Sequence, residues 1–114
     1  MAIEVTETEI LSNYLRGVMD RAEHHAEMVD EIALALIGAI LWRKDTSTSI
    51  QVLQRDGDTK NVLWVHIRGQ RYAFSYNHST GTIEMRRGTT HGASTHDFSN
   101  ATTLAEVKGV FESL

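Results

Sequence analysis

Between Ser49 and Arg87 the chain alternates apolar and polar residues, interrupted only by short turn signals. This pattern constrains the fold more than any other feature. A strand's side chains alternate with a period of two, so two strands joined by a turn of known length have their register and buried face fixed together. Ser49–Gln54, Asn61–Ile67, Gln70–Asn77 and Thr82–Arg87 read as strands. Asp56-Gly57 reads as a type I′ turn, Arg68-Gly69 as a second two-residue turn, and residues 78–81 as a four-residue loop with Gly81 left-handed. The product is a four-stranded antiparallel meander.

Closing the turns sorts the side chains onto two faces. Ile67 comes opposite Gln70, Val65 opposite Tyr72, Leu63 opposite Phe74, Tyr76 opposite Ile83 and Phe74 opposite Met85. The Asp56-Gly57 turn sets Ile50 opposite Leu63. One face then gathers Ile50, Val52, Leu63, Val65, Ile67, Tyr72, Phe74, Tyr76, Ile83 and Met85, which is a core face needing a cover. The other gathers Gln51, Leu53, Val62, Trp64, His66, Arg71, Ala73, Ser75, Glu84 and Arg86. A large aromatic among polar groups marks this second face as the candidate interface or shallow pocket, with Trp64, His66, Arg71, Glu84 and Arg86 as binding residues. A solvent-facing Trp among ordinary cross-strand pairs is the plain alternative.

The cover comes from helices. Thr6 and Glu9 form a capping box, and Ile10, Leu11, Tyr14, Leu15, Val18, Met19 and Ala22 recur at helical spacing. The stripe continues through Val29, Ile32, Ala33, Leu36, Ile37 and Ile40. One unbroken helix over residues 7–42 would be ~50 Å long, against ~35 Å for a globule of this size. A break is expected near Glu23–Glu27, followed by a helix from about His25 to Trp42. That second helix is apolar nearly all round, as a helix buried on several sides would be. Thr103 and Glu106 form a second capping box, opening a final helix whose apolar face is Leu104, Val107, Val110 or Phe111, and Leu114. Residues 88–95 read as loop. The whole is one α+β domain over residues 1–114. The N-terminal stripe exceeds what one small core needs, so a homodimer is expected.

Several chemistries are set aside. The chain has no cysteine, which excludes disulfides, thiolate metal sites and a cysteine nucleophile. Neither a Walker loop nor G-x-G-x-x-G is present, and no cofactor is expected. His24 and His25 lie among Asp20, Glu23, Glu27 and Glu31 without the Glu-x-x-His or HExxH spacing of a metal site. His91 and His96, beside Asp97, read as loop residues. Ser75, His66 and Glu84 invite a triad reading, but no nucleophile elbow accompanies them. The acidic residues 1–9 lack a basic leader region, and the longest apolar run, Ile32–Trp42, is too short to cross a bilayer, so a soluble cytoplasmic protein is expected. Residues 43–87 hold eight bases and four acids, yet the net charge of −4 argues against nucleic acid as the general partner. Arg68, Arg71, Arg86 and Arg87 would be the contacts for such a module. A small-molecule binder or minor enzyme with a cavity between helices and sheet is the alternative, using the Tyr72 and Tyr76 hydroxyls and His96.

The stretch Phe98-Ser99-Asn100-Ala101-Thr102-Thr103-Leu104-Ala105-Glu106-Val107, ending Val110-Phe111-Glu112-Ser113-Leu114, resembles the ends of small proteins encoded by integron gene cassettes. Leu41-Trp42-Arg43 and Ile67-Arg68-Gly69 resemble passages of the same proteins. The resemblance is strongest in the last third. It implies the order helix, meander, turn and short final helix, and an accessory protein of a mobile element. It carries over no catalytic residue and no activity.

Overall fold

The computed structural model describes residues 9, 12, 16, 29–55, 58–77 and 79–114. Among them the architecture is α+β in two layers. Helix α1 (Asp30–Arg43) is followed by strands β1 (Gln51–Arg55), β2 (Asp58–Ile67), β3 (Gln70–Asn77), β4 (Thr82–Arg87) and β5 (His96–Phe98), then helix α2 (Leu104–Ser113). The sheet is antiparallel with strand order β1-β2-β3-β4-β5. The fifth strand corrects the four-strand expectation. His96, Asp97 and Phe98 pair with Met85, Glu84 and Ile83, too few residues to display an alternation in sequence. The expected helix over residues 7–22, its break, and the Asp56-Gly57 turn lie outside the described residues.

The β2–β3 and β3–β4 pairings match the register deduced from the turns. Arg68 and Gly69 take φ of 50° and 80°, and Gly81 takes 66°, the positive values these turns demand. The β1–β2 pairing departs from it. Arg55 pairs with Asp58 and Gln54 with Thr59, but Val52 pairs with Leu63 after an irregularity. Ile50 is therefore not opposite Leu63. The slip amounts to two residues, which preserves side-chain parity, so Ile50 is still buried at 2% exposure.

The core lies between the sheet and the helices. Ile32, Ala33, Leu36 and Ile40 from α1 and Val107 and Phe111 from α2 join the deduced core face, with Phe98 added by β5. Phe74 and Phe111 stack at 6.1 Å across the layers. Val52 and Tyr76 are partly buried at its margin. Thr103 Oγ1 accepts from the Glu106 N–H at 3.1 Å, as the capping box requires. Two expectations fail here. Leu104 is 72% exposed, because as the first residue of α2 it stands outside the face formed by Val107 and Phe111. And α1, although apolar all round, leaves Leu34, Leu41 and Trp42 more than half exposed.

Two polar side chains anchor α1, and neither is apparent from local sequence. At its start the N-cap residue, Val29, offers no side-chain bond, and Asp30 Oδ1 accepts from the Glu31 N–H at 2.9 Å. Asn100 also accepts from the N–H groups of Glu31 and Ile32, both at 3.0 Å, and donates to Asp30 Oδ1 at 2.7 Å. It is held for this by a turn in which Thr102 Oγ1 accepts from the Ser99 N–H at 3.0 Å. Beyond the other end, the Asp45 carboxylate accepts from the N–H groups of Arg68 at 2.7 Å and Gly69 at 2.9 Å. Asp45 thus ties the chain leaving α1 to the tip of the β2–β3 hairpin.

Candidate functional site

Register places all five candidate residues on the free face of the sheet. One cross-strand row runs Gln51, Trp64, Ala73, Arg86; the next runs Val62, Ser75, Glu84, Asp97; a third pairs His66 with Arg71. The structure draws four of the five into two local groups. The Arg71 guanidinium lies 4.9 Å from the centre of the Trp64 ring and donates to Gln51 Oε1 at 3.2 Å. Arg86 donates from Nη2 to Glu84 Oε1 at 2.9 Å, from Nη1 to Ser75 Oγ at 3.5 Å, and from Nε to the Gly92 carbonyl at 2.9 Å. The last bond draws the 88–95 loop towards this face. The Arg86 and Glu84 side chains are only 14% and 15% exposed. Ala73, between Trp64 and Arg86 in register, is 1% exposed although it lies on the face away from the helices. His66 is half-buried opposite Arg71, and its carbonyl accepts from the Asp45 N–H at 2.8 Å.

This geometry keeps Ser75 and His66 apart. Ser75 pairs with Val62, four residues from His66 along β2, which puts them roughly 13 Å apart along the strand. No proton can pass directly between them, so the face does not assemble a Ser-His pair. The basic residues do not form one stripe either. Arg87 pairs with Tyr72, on the opposite parity to Arg86 and Arg71. Among the described residues no three His, Asp or Glu side chains are grouped to hold a metal ion. The His24 and His25 cluster lies outside the described residues. His96 is exposed and stacks on Phe98 at 6.2 Å. No described helix is long and apolar enough to cross a membrane.

The carboxyl group of Asp45 titrates below its ordinary range. The Gly69 N–H is the main cause, joined by the Arg68 N–H and the positive charge of His66 and Lys44, with desolvation opposing them.

Two hollows bear on ligand binding. The crevice between α1 and the sheet, lined by Ala33, Leu36, Ile37, Ile40, Phe74 and Ile83, has a volume of about 10 Å³. A cavity that small is filled by at most one water. The larger hollow, about 370 Å³, lies between the first turns of α1 and the start of α2. Ile32, Ala35 and Leu104 form its apolar wall, and Glu31, Asn100 and Thr103 its polar one. Of these two hollows, the one between α1 and the sheet is the smaller, and the larger is a groove between helix ends.

The order of elements, with a long helix, a meander, a looped turn and a short final helix, can now be set against known proteins. A family model described as "Integron cassette protein VCH_CASS1 chain" matches residues 11–108. The chain belongs to this family. The match spans most of the integron cassette protein, including both anchors of α1, Asp45 and Asn100, and the whole sheet. No curated protein matches the sequence. The stretch that carries the resemblance, from Phe98 to Val107, is also the one that builds the Asn100 cap and the start of α2.

Proposed function

We propose that this integron cassette protein is a non-enzymatic interaction module, a cytoplasmic accessory protein of a mobile genetic element that works as a homodimer. One observation carries the reading. Leu34, Leu41 and Trp42 are 55%, 52% and 54% exposed on a single helix. Three large apolar side chains at that density exceed the scattered exposure normal for a monomer's surface. A site-specific photo-crosslinker tests it in living cells. Placed at position 41, it should capture a discrete, saturable product; placed at the exposed Gln70 on the hairpin, it should capture none. Equal, diffuse labelling from both positions would defeat the reading.

A second reading follows from the groove. Its volume of about 370 Å³ lies in the range of small-ligand sites. In that reading the protein binds a small molecule between Ile32, Ala35 and Leu104, and Asn100 and Thr103 orient it. The free sheet face is a further candidate surface, where the half-exposed Trp64 and His66 offer an aromatic patch beside Arg71, Glu84 and Arg86. Broadening of Leu104 and Ile32 methyl resonances by a fragment, with Trp64 unaffected, would favour the groove.

A further inference from the structure

We infer that the groove between the first turns of α1 and the start of α2 takes an organic cation, a primary ammonium group on a short aliphatic chain. The inference rests on the small-molecule reading above and names the class of ligand.

The sign of the groove comes first. Asp30 and Glu31 stand in the first turn of α1, and Glu106 in that of α2. No base lies in either first turn. Each helix carries a single base, and both are engaged elsewhere. Arg43, in the last turn of α1, donates to the Leu114 carbonyl at 3.1 Å, and Lys108 pairs with Glu112 at 3.4 Å. The amide groups at the start of a helix ordinarily draw anions. Here they are closed from within the chain. Asn100 Oδ1 accepts from the N–H groups of Glu31 and Ile32, and Thr103 Oγ1 from that of Glu106. Of the two acids of α1, Asp30 is tied to Asn100 Nδ2 at 2.7 Å. Glu31 lines the groove, is exposed, and makes no side-chain bond among the described residues. One carboxylate is thus left at the mouth of the groove, and its complement is a cation that can donate hydrogen bonds.

The walls set the rest of the ligand. Ile32, Ala35 and Leu104 line the groove, and Leu104 is 72% exposed. A chain laid against Leu104 would take that apolar surface out of water. No aromatic ring stands among the described lining residues. A quaternary ammonium would therefore lack the aromatic cage it needs, and a flat ring would have nothing to stack on. A primary ammonium instead uses its own N–H groups, which the Glu31 carboxylate accepts while the others stay in water at the open mouth. The volume of about 370 Å³ has room for a short aliphatic chain behind it.

The test compares n-hexylammonium, n-hexanol and hexanoate, which share an aliphatic chain and differ in the charge of the head. Each is titrated into the full chain at low ionic strength, and the methyl resonances of Ile32 and Leu104 are followed. Hexylammonium should move both and bind about fivefold more tightly than hexanol, the size of one exposed charge pair, with hexanoate weakest. Glu31→Gln should remove this preference and leave hexanol binding unchanged, with circular dichroism as the folding control. In wild type alone the preference should shrink as salt is added, a readout that needs no variant to fold. Equal binding of hexylammonium and hexanol, tighter binding of hexanoate, or a preference that persists in folded Glu31→Gln would overturn the inference and leave the small-molecule reading standing. If none of the probes moves the Ile32 and Leu104 methyls, that reading falls as well, and the interaction reading on the outer face of α1 is untouched.

Discussion

The free face of the sheet and the outer face of α1 are both left uncovered by the described elements, yet they are not alike. On the sheet face, long polar side chains close over the surface. Arg71 covers Trp64, Arg86 ties Glu84, Ser75 and the Gly92 carbonyl together, and even Ala73 is shut from solvent. On α1, the Arg43 guanidinium lies over the Trp42 ring at 5.7 Å, yet Leu34, Leu41 and Trp42 all stay more than half exposed. An aromatic residue on an uncovered face is therefore a weak guide to an interface. A single guanidinium over the ring does not bury it; what decides is how many neighbouring side chains close over the surface together. A meander offers such neighbours on both sides of every strand, whereas the outer stripe of a helix offers only its own turns.

Substitutions on the two faces should separate folding from association. Trp64→Ala should affect folding as strongly as any of these, by about 2 kcal/mol, below the range for a fully buried ring because Trp64 is half-exposed, lowering the melting temperature by several degrees without changing solution mass. A loss of mass with little change in melting would instead make the sheet face the interface. Arg86→Met removes a well-shielded ion pair and two further bonds, so about 2 kcal/mol is expected in urea denaturation. Coupling with Glu84→Gln in a double-mutant cycle should be about 1 kcal/mol, and zero coupling would mean the pair contributes nothing. Asp45→Asn acts through pH. Because its folded carboxyl titrates below the ordinary value of 3.8, the contribution of Asp45 is fully present above that value and is lost as pH falls through the lowered one. The stability gap between wild type and Asp45→Asn should be open at neutral pH and closed in strong acid; a gap independent of pH would refute the assignment. Leu41→Gln should change folding least, within ~0.5 kcal/mol when measured on dilute single chains, and a larger loss would place Leu41 in the core.

Most of the sheet could be read from alternation and turn chemistry. Phe74 opposite Leu63 and Met85, and Trp64 beside Arg71 on the far face, follow from two turns whose glycines fix the loop length. The β1–β2 irregularity could not be read, because an insertion of two residues leaves the alternation intact. The third element of register, β5, has three residues and no period to measure. Asn100 and Asp45 were invisible for a different reason. A side chain that caps a helix or a turn far away in sequence has no local spacing, and both sit among residues with ordinary loop composition. The exposed stripe on α1 was half legible: its apolarity was plain, but which flank met the sheet depended on packing.

The cap on α1 has a consequence in time. Glu31 and the Asn100 that closes its N–H are separated by 69 residues. On a ribosome adding residues at ordinary speed, α1 is made some 3–14 s before its cap exists. The strands between them pair with their neighbours in order of synthesis and need no such delay. The sheet is thus built by successive local steps, and the start of α1 is fastened only when the last segment arrives. Asn100→Ala should accordingly hasten unfolding and leave the refolding rate almost unchanged; an equal slowing of refolding would put the cap in the nucleus. Throughout that interval the nascent chain carries an apolar helix with an unfinished end, and its earliest protection must come from the hairpins already at hand.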